Sequence, residues 1–359
     1  MTNNTKYNLV ADNPESTVVA EYQPECRTET SYQTEAELEK AFINRLQEQG
    51  YEYLSIKSEA DLINNLRRCL EKLNNLTFTD AEWEQFFKTE IANPNHNIED
   101  KTTTIQEDYI KILQRKDGST KNIYLLDKQH IHNNRLQVIN QYETESGQRA
   151  NRYDVTILVN GLPLVHIELK RRGVALEEAF NQINRYQRES FWSGTGLFEY
   201  IQIFVISNGT HTKYYSNTTR WQHIKETSQS KAPKGKRTSN SFEFTSWWAD
   251  ETNKPIMDLM DFARTFFAKH TLLNILTRYC VFTTDRLLLV MRPYQIVATE
   301  KILRKIEIST NYKKLGTIEA GGYIWHTTGS GKTLTSFKTA QLASKLPYVD
   351  KVLFVVDRK

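Results

Sequence analysis

The chain has 359 residues, 39% hydrophobic and 11% aromatic, enough apolar material for two folded domains and too much for an intrinsically disordered polypeptide. A formal net charge of +4 is compatible with nucleic acid but does not demand it. Cys26, Cys69 and Cys280 have neither metal-ligand nor disulfide-framework spacing, the apolar runs are too short to span a bilayer, and the polar N-terminus has no signal-peptide pattern; the expectation is a cytoplasmic protein with ordinary thiols.

Residues 1–30 read as a loosely held arm. Thr34 and Glu37 then form the T-x-x-E of a capping box, opening a helix whose apolar positions Leu38, Phe42 and Leu46 recur every four residues until Gly50. Its acidic residues Glu35, Glu37 and Glu39 read as solvated helix-face charges. From Ala60 to Phe87 the pattern is again helical, with Leu62, Leu66 and Leu70 spaced by four. Asn93–Asp100 reads as a Pro/Asn loop, and KNIYLLDK and NRLQVINQYE as strands leading into a hairpin that begins at Asn151.

In that hairpin two Val/Ile/Leu-rich runs flank Asn160-Gly161, a strong turn signal. Side chains alternate faces along a strand, so a loop of residues 160–162 sets Tyr153 opposite Leu169, Val155 opposite Ile167 and Ile157 opposite Val165 on one apolar face. The other face then sets Asp154 opposite Glu168, with Lys170 two residues on. Two carboxylates so placed repel. A hard cation such as Mg²⁺ would compensate, taking their oxygens and keeping waters, one of which could be the nucleophile. Lys170 could orient or deprotonate that water, or neutralise charge on a phosphate. A half-exposed strand reading His166, Glu168, Lys170 by alternation alone is the plainer alternative.

The next stretch, LEEAFNQINRYQRE, has helical period and puts Gln182 and Tyr186 on one face. YIQIFVISNGT reads as a buried strand with TKYYSNT as its hairpin neighbour, and the Lys-rich 226–241 segment as an exposed loop that could brush a DNA backbone. After a long helical stretch, IMDLMDFARTFFAKHTLLNILTRY, comes YIWHTTGSGKTLTSFKTAQLASKL, read as strand, Gly-rich loop and helix, with KVLFVVDRK as a further strand. Backbone N–H groups of Thr328, Gly329, Ser330 and Gly331 at a helix start can cradle phosphates, Lys332 can reach the β- and γ-phosphates, and Thr333 can give a hydroxyl to Mg²⁺. ATP is therefore the expected nucleotide, although His326 stands where the strict P-loop pattern has glycine.

Asp154 with Glu168-x-Lys170 resembles the PD-(D/E)xK metal-nuclease core, with Tyr153 in place of the proline, and the Gln-xxx-Tyr helix resembles its RecB-like branch. Nucleases of that fold often supply an acidic residue from their first helix, which makes Glu39 a candidate ligand. TGSGKT resembles the P-loop of superfamily 2 helicases, Arg292-Pro293-Tyr294-Gln295 resembles their Q motif, whose glutamine reads adenine, and VVDRK resembles motif Ia. Together, in this order, the motifs resemble the R subunit of type I restriction-modification enzymes, type IC in particular.

The resemblance implies an α/β architecture: an arm (1–30), a PD-(D/E)xK domain with a mixed sheet flanked by helices (31–262), and the start of a RecA-like translocase domain (263–359). It implies Mg²⁺- and ATP-dependent cleavage and translocation of double-stranded DNA, with modification and specificity subunits as partners. By it, Asp154, Glu168 and Lys170 are catalytic, Asp154 and Glu168 hold metal, and Gln182 and Tyr186 support them. Because the sequence stops one predicted strand after the P-loop, the expectation is an N-terminal fragment without ATPase of its own. Two alternatives stand beside this: a non-catalytic docking domain that tethers a motor to its partners, and a DNA-repair nuclease-helicase.

Overall fold

Capping and turn chemistry set most of the elements that carry the candidate sites. The computed structural model describes residues 7–8, 17–19, 21–24, 33–144, 151–218 and 241–355; almost all of the basic 226–241 segment and residues 356–359 lie outside them. The chain divides into two compact units, one of residues 25–248 and 256–290, the other of 1–24, 249–255 and 291–359. The sequence reading divides the chain at 263 instead.

The N-terminal segment, expected to be a loose arm, is structured at its described positions. Strands β1 (Tyr7–Asn8) and β2 (Glu21–Tyr22) pair antiparallel. Thr17, Val18 and Tyr22 are buried, the Thr17 N–H donates to the Glu300 carboxylate, and the Glu251 N–H donates to the Val19 carbonyl. Hydrogen bonds that composition does not betray hold these described positions.

In the larger unit the capping box forms as expected: Thr34 caps α1 (Glu35–Glu48), and Leu38, Phe42 and Leu46 are buried. After β3 (Glu52–Tyr53), helix α2 (Glu59–Asn74) buries Leu62, Leu66 and Leu70, and α3 (Asp80–Phe86) begins at a second capping box. The Asn93–Asp100 stretch is not all loop. Asn97 accepts from the N–H groups of Glu99 and Asp100 and starts α4 (Ile98–Gln106), whose three consecutive threonines disguise a helix. The next strands, β4 (Ile110–Gln114) and β5 (Thr120–Tyr124), do not lead into the central sheet. They close on each other as a separate hairpin, turned at Gly118 (φ 82°).

The central sheet is six-stranded and mixed, in the order β10-β9-β8-β7-β6-β3. It takes β6 (Leu136–Thr144), β7 (Asn151–Val159), β8 (Leu162–Leu169), β9 (Ile203–Ser207) and β10 (Thr212–Ser216). β6, β7 and β8 run antiparallel in sequence; β9 lies parallel to β8, after the crossover helix α5 (Leu176–Glu189). The β7–β8 turn has two residues, not three: Asn160 (φ 51°) and Gly161 (φ 86°) both take the left-handed backbone of a tight hairpin. Val159 therefore faces Leu162 and Leu158 faces Pro163. Leu164 then stands as an extra residue, and the expected pairs Ile157–Val165 and Val155–Ile167 are restored beyond it. A Cβ on Gly161 would lie 2.6 Å from the Leu66 Cα, so the turn presses on α2 where no side chain fits.

The long stretch before the P-loop is two helices, α6 (Leu259–Phe266) and α7 (Lys269–Thr277). The break buries Phe266 and Phe267 together, ring centroids 5.2 Å apart. A short hairpin, β11 (Cys280–Phe282) with β12 (Leu288–Val290), completes the unit.

The smaller unit carries α8 (Pro293–Asn311) and α9 (Lys332–Ala343), joined across their faces by a Thr339–Thr299 hydroxyl contact of 3.2 Å. The strands expected on either side of the P-loop do not form among the described residues. Tyr323, Trp325, Leu353 and Val355 are more than four-fifths exposed. Apolar runs of this kind become strands only when neighbouring strands pair with them and cover both faces, and the described residues offer no such ladder. No helix among the described residues is long and apolar enough to cross a membrane.

Candidate functional site

Alternation along β7 and β8 brings three predicted residues to the end of the hairpin away from its turn. Asp154 is half-buried on β7, and one of its oxygens (Oδ2) accepts the Leu169 N–H at 2.9 Å. Glu168 is fully buried on β8. Lys170 follows the strand, its backbone N–H tied to the Ser207 carbonyl of β9, and its Nζ donates to Glu168 Oε1 and to the Leu169 carbonyl, both at 3.0 Å. Burial, reinforced by the neighbouring Glu168, pushes the Asp154 carboxyl up to about 7. Burial likewise raises Glu168 to about 7, against the opposing pull of the Lys170 ammonium.

The predicted helix partners lie beside this cluster. Gln182 donates to the Tyr186 hydroxyl at 2.5 Å, and that hydroxyl donates to the Arg152 carbonyl at 2.8 Å, two residues before Asp154. Burial, then the nearby Glu168 charge, raises the Tyr186 phenol above its ordinary value. Tyr153, where the motif carries proline, is fully buried, donates to Ser190 Oγ at 2.7 Å and packs edge-on against Tyr186. An aromatic ring here does what a rigid proline cannot, joining the strand to α5.

Two residues, His166 and Glu39, are more deeply placed than strand alternation and helix-face charge suggest. His166 is fully buried among Tyr153, Tyr186, Phe191 and Phe204; its Nδ1 lies 3.2 Å from Thr156 Oγ1 and its Nε2 3.4 Å from Glu168 Oε2. Burial pushes its pKa down to about 4, so the ring is neutral at neutral pH. The signal was present in the His-x-Glu alternation. Glu39 is the second case: only 9% exposed, it is not a solvated helix-face charge, and it accepts from the side-chain amides of Asn140 and Gln141 in the interior of β6. Burial raises its pKa. Glu35 and Glu37 are exposed as expected, Glu37 closing the capping box.

The donor set suits a small divalent cation. Two hard carboxylates face each other, and Glu168 Oε2 is buried without a hydrogen-bond partner among the described residues. No group of three His, Cys, Asp or Glu side chains capable of holding a metal occurs among the described residues.

The P-loop residues form their own cluster in the smaller unit. Gly329 (φ 77°) and Gly331 (φ 79°) curl the loop, and α9 begins at Lys332. The Ser330 carbonyl accepts from the Tyr294 hydroxyl at 2.8 Å and from Gln295 Nε2 at 2.9 Å. Gln295, buried, also accepts the Arg292 N–H with its other amide atom. A Cβ on Gly331 would meet the Gln295 amide, a side-chain end that can shift, so it is the left-handed backbone (φ 79°) that favours glycine here. Lys332 folds back on the Thr327 carbonyl at 3.0 Å, while Thr328 and Thr333 are exposed. A ring of backbone curled round a lysine at a helix start fits a polyphosphate.

The structure thus defines an α/β protein with a buried Asp–Glu–Lys cluster in one unit and a glycine loop in the other. Residues 32–223 match the family model described as type I restriction enzyme R protein N terminus, and residues 288–359 match that of the type III restriction enzyme res subunit. The chain is 48% identical over 307 residues to the type I restriction enzyme EcoprrI endonuclease subunit of Escherichia coli, covering 85% of this chain and 93% of that relative. It is 38% identical over 335 residues to the SauMSSORF170P endonuclease subunit of Staphylococcus aureus, covering 92% of this chain but 32% of the relative, and 24% identical to the putative MjaIXP endonuclease subunit of Methanocaldococcus jannaschii, again spanning 32% of it. The chain belongs to the type I restriction enzyme R protein family.

Proposed function

We propose that the larger unit is a Mg²⁺-dependent DNA nuclease of PD-(D/E)xK type, and that the smaller unit binds ATP as part of a translocase that feeds it duplex DNA. The observation that carries the nuclease reading is the convergence of Asp154, Glu168 and Lys170 at one hairpin end, beside the Gln182–Tyr186 pair. Asp154 and Glu168 hold the cation, which when bound supplies Lewis acidity and an activated water for phosphodiester hydrolysis. The Lys170 ammonium, 13% exposed and anchored on Glu168, stands beside the carboxylates where it can offset charge developing on a scissile phosphate. Tyr186 and Gln182 fix the start of β7, and with it the reach of Asp154. In the P-loop, Gly329 and Gly331 shape the backbone of residues 328–331 around phosphates, Lys332 leaves its own carbonyls to meet the β- and γ-phosphates, Thr333 supplies a hydroxyl, and Gln295 exchanges its bonds to Arg292 and Ser330 for the adenine. The partners in this reading are double-stranded DNA and the modification and specificity subunits.

The test is nicking of supercoiled plasmid by the full-length R subunit carrying these residues, assembled with its modification and specificity subunits, ATP and Mg²⁺. Lys170→Ala is expected to abolish cutting and leave ATPase intact. Unchanged cutting would move the active site elsewhere and leave a docking role for this unit.

A further inference from the structure

Glu39 lies near the proposed nuclease site without being part of the Asp–Glu–Lys cluster. Both of its oxygens are taken: Oε1 by the Asn140 side-chain amide and Oε2 by that of Gln141. Adjacent residues of a strand point to opposite faces, so two neighbours can reach one carboxylate only where alternation is broken. The break is visible. Gln141 has φ 51°, left-handed backbone that a glutamine rarely adopts, in the interior of β6.

Its place in the ladder matters. Asn140 pairs with Val155 and Tyr142 with Tyr153, and between them Gln141 and Asp154 stand opposite each other without pairing. The sheet is therefore open at the metal-facing aspartate. Asn140 is braced from behind, since the Tyr53 hydroxyl donates to its Oδ1 at 2.9 Å and Lys57 Nζ to its backbone carbonyl at 3.3 Å. Asp154 is held on its other side by the Leu169 N–H of β8.

We infer that Glu39 is a positioning residue that acts through Gln141: its carboxylate clamps two consecutive amides, keeps Gln141 left-handed, and so holds β6 open across from Asp154. The contacts its two oxygens make are those of the clamp, one side-chain amide on each. Released from Glu39, Gln141 returns to extended backbone, the ladder closes over Asp154, and the carboxylate loses its pose. This inference rests on the nuclease reading above.

The clamp makes a prediction that a ligand role does not, because glycine adopts the left-handed backbone unaided. The probe is Mn²⁺ binding to this 359-residue chain by titration calorimetry. Glu39→Ala is expected to weaken binding about tenfold, the scale of an outer support to a metal ligand. Adding Gln141→Gly to it is expected to bring binding back to within roughly threefold of wild type. Gln141→Val, which leaves Glu39 in place but disfavours positive φ, is expected to weaken binding about as much as Glu39→Ala, and it serves if the latter does not fold. A double variant that binds no better than Glu39→Ala, or a Gln141→Val that binds like wild type, overturns the clamp. Asp154→Ala separates the two failures. If it leaves Mn²⁺ binding unchanged, the metal reading itself falls and the clamp with it; if it abolishes binding while Glu39→Ala does not weaken it, only the clamp falls.

Discussion

The Asp154–Glu168–Lys170 cluster stands on adjacent strands of a six-stranded sheet, with α5 fastened beside it through Tyr186, whereas the glycine loop of residues 326–333 is shaped by two side chains of one helix, Tyr294 and Gln295. The first site is pre-organised by burial: its carboxyls stay together although burial raises both and the Glu168 charge raises Asp154 further. The second is exposed, and its lysine rests on its own loop. A site that must hold like charges in place needs a sheet to oppose their repulsion. One that, as proposed, wraps a flexible polyphosphate needs only a curled backbone that can let go of its lysine.

Substitutions can break this contrast, beginning with the largest expected effect. Lys170→Ala in the assembled full-length enzyme should cost about 10²–10⁴-fold in plasmid cleavage, the usual range for a group acting directly on the reacting phosphate or its water. Gly161→Ala should destabilise the larger unit by roughly 2–3 kcal/mol, because it combines positive φ with a clash against backbone, and urea unfolding would show it. Gly331→Ala shares the positive φ but meets only the movable end of Gln295, so its cost should fall on nucleotide affinity, about tenfold, with the urea transition of the larger unit unmoved. A Gly331→Ala protein that binds nucleotide normally would show that the loop is not pre-shaped at all.

A pH experiment sharpens the first half of the contrast. Because the folded chain retains protons on Asp154 and Glu168 that the unfolded chain releases, their contribution is fully present below about pH 4 and is lost as pH rises to about 7. In EDTA the urea midpoint of the larger unit should therefore fall between pH 5 and pH 8, Asp154→Asn should flatten that fall, and Mg²⁺ should raise the midpoint more at pH 8 than at pH 5. The smallest effect belongs to Tyr186→Phe, which removes one hydroxyl bonded to Arg152 and Gln182 and should cost about 1 kcal/mol in unfolding.

The same physics decides how much of this was legible in the sequence. The first helix, the β7–β8 pairing and the Gln–Tyr face could be read because each depends on residues close in sequence: a capping box, an Asn-Gly turn, a four-residue spacing. The extra residue at Leu164 could not, since it answers to the tight turn pressing on Leu66 of a distant helix. Neither could the burial of Glu39, which depends on amides 101 and 102 positions away. The strands predicted beside the glycine loop failed for a related reason: an apolar run states that it can be buried, and only pairing partners decide whether it is.

The Asn160-Gly161 turn carries one consequence of a chemical kind. An asparagine before glycine is the pair most exposed to ageing, since the small following residue lets its backbone nitrogen attack the side-chain carbonyl and expel ammonia. In this turn the Asn160 amide is 1% exposed and tied down, donating to the Leu125 carbonyl and to Asn134 Oδ1 while accepting the Arg135 N–H. Attack requires the side chain to rotate out of those bonds, so the pair is chemically durable only for as long as the hairpin stays folded. Once converted, the new carboxylate would face two oxygens where it formerly offered protons. The lifetime of the turn and the folding stability of the sheet are thus one quantity, and molecules that have unfolded often enough carry a permanent record of it.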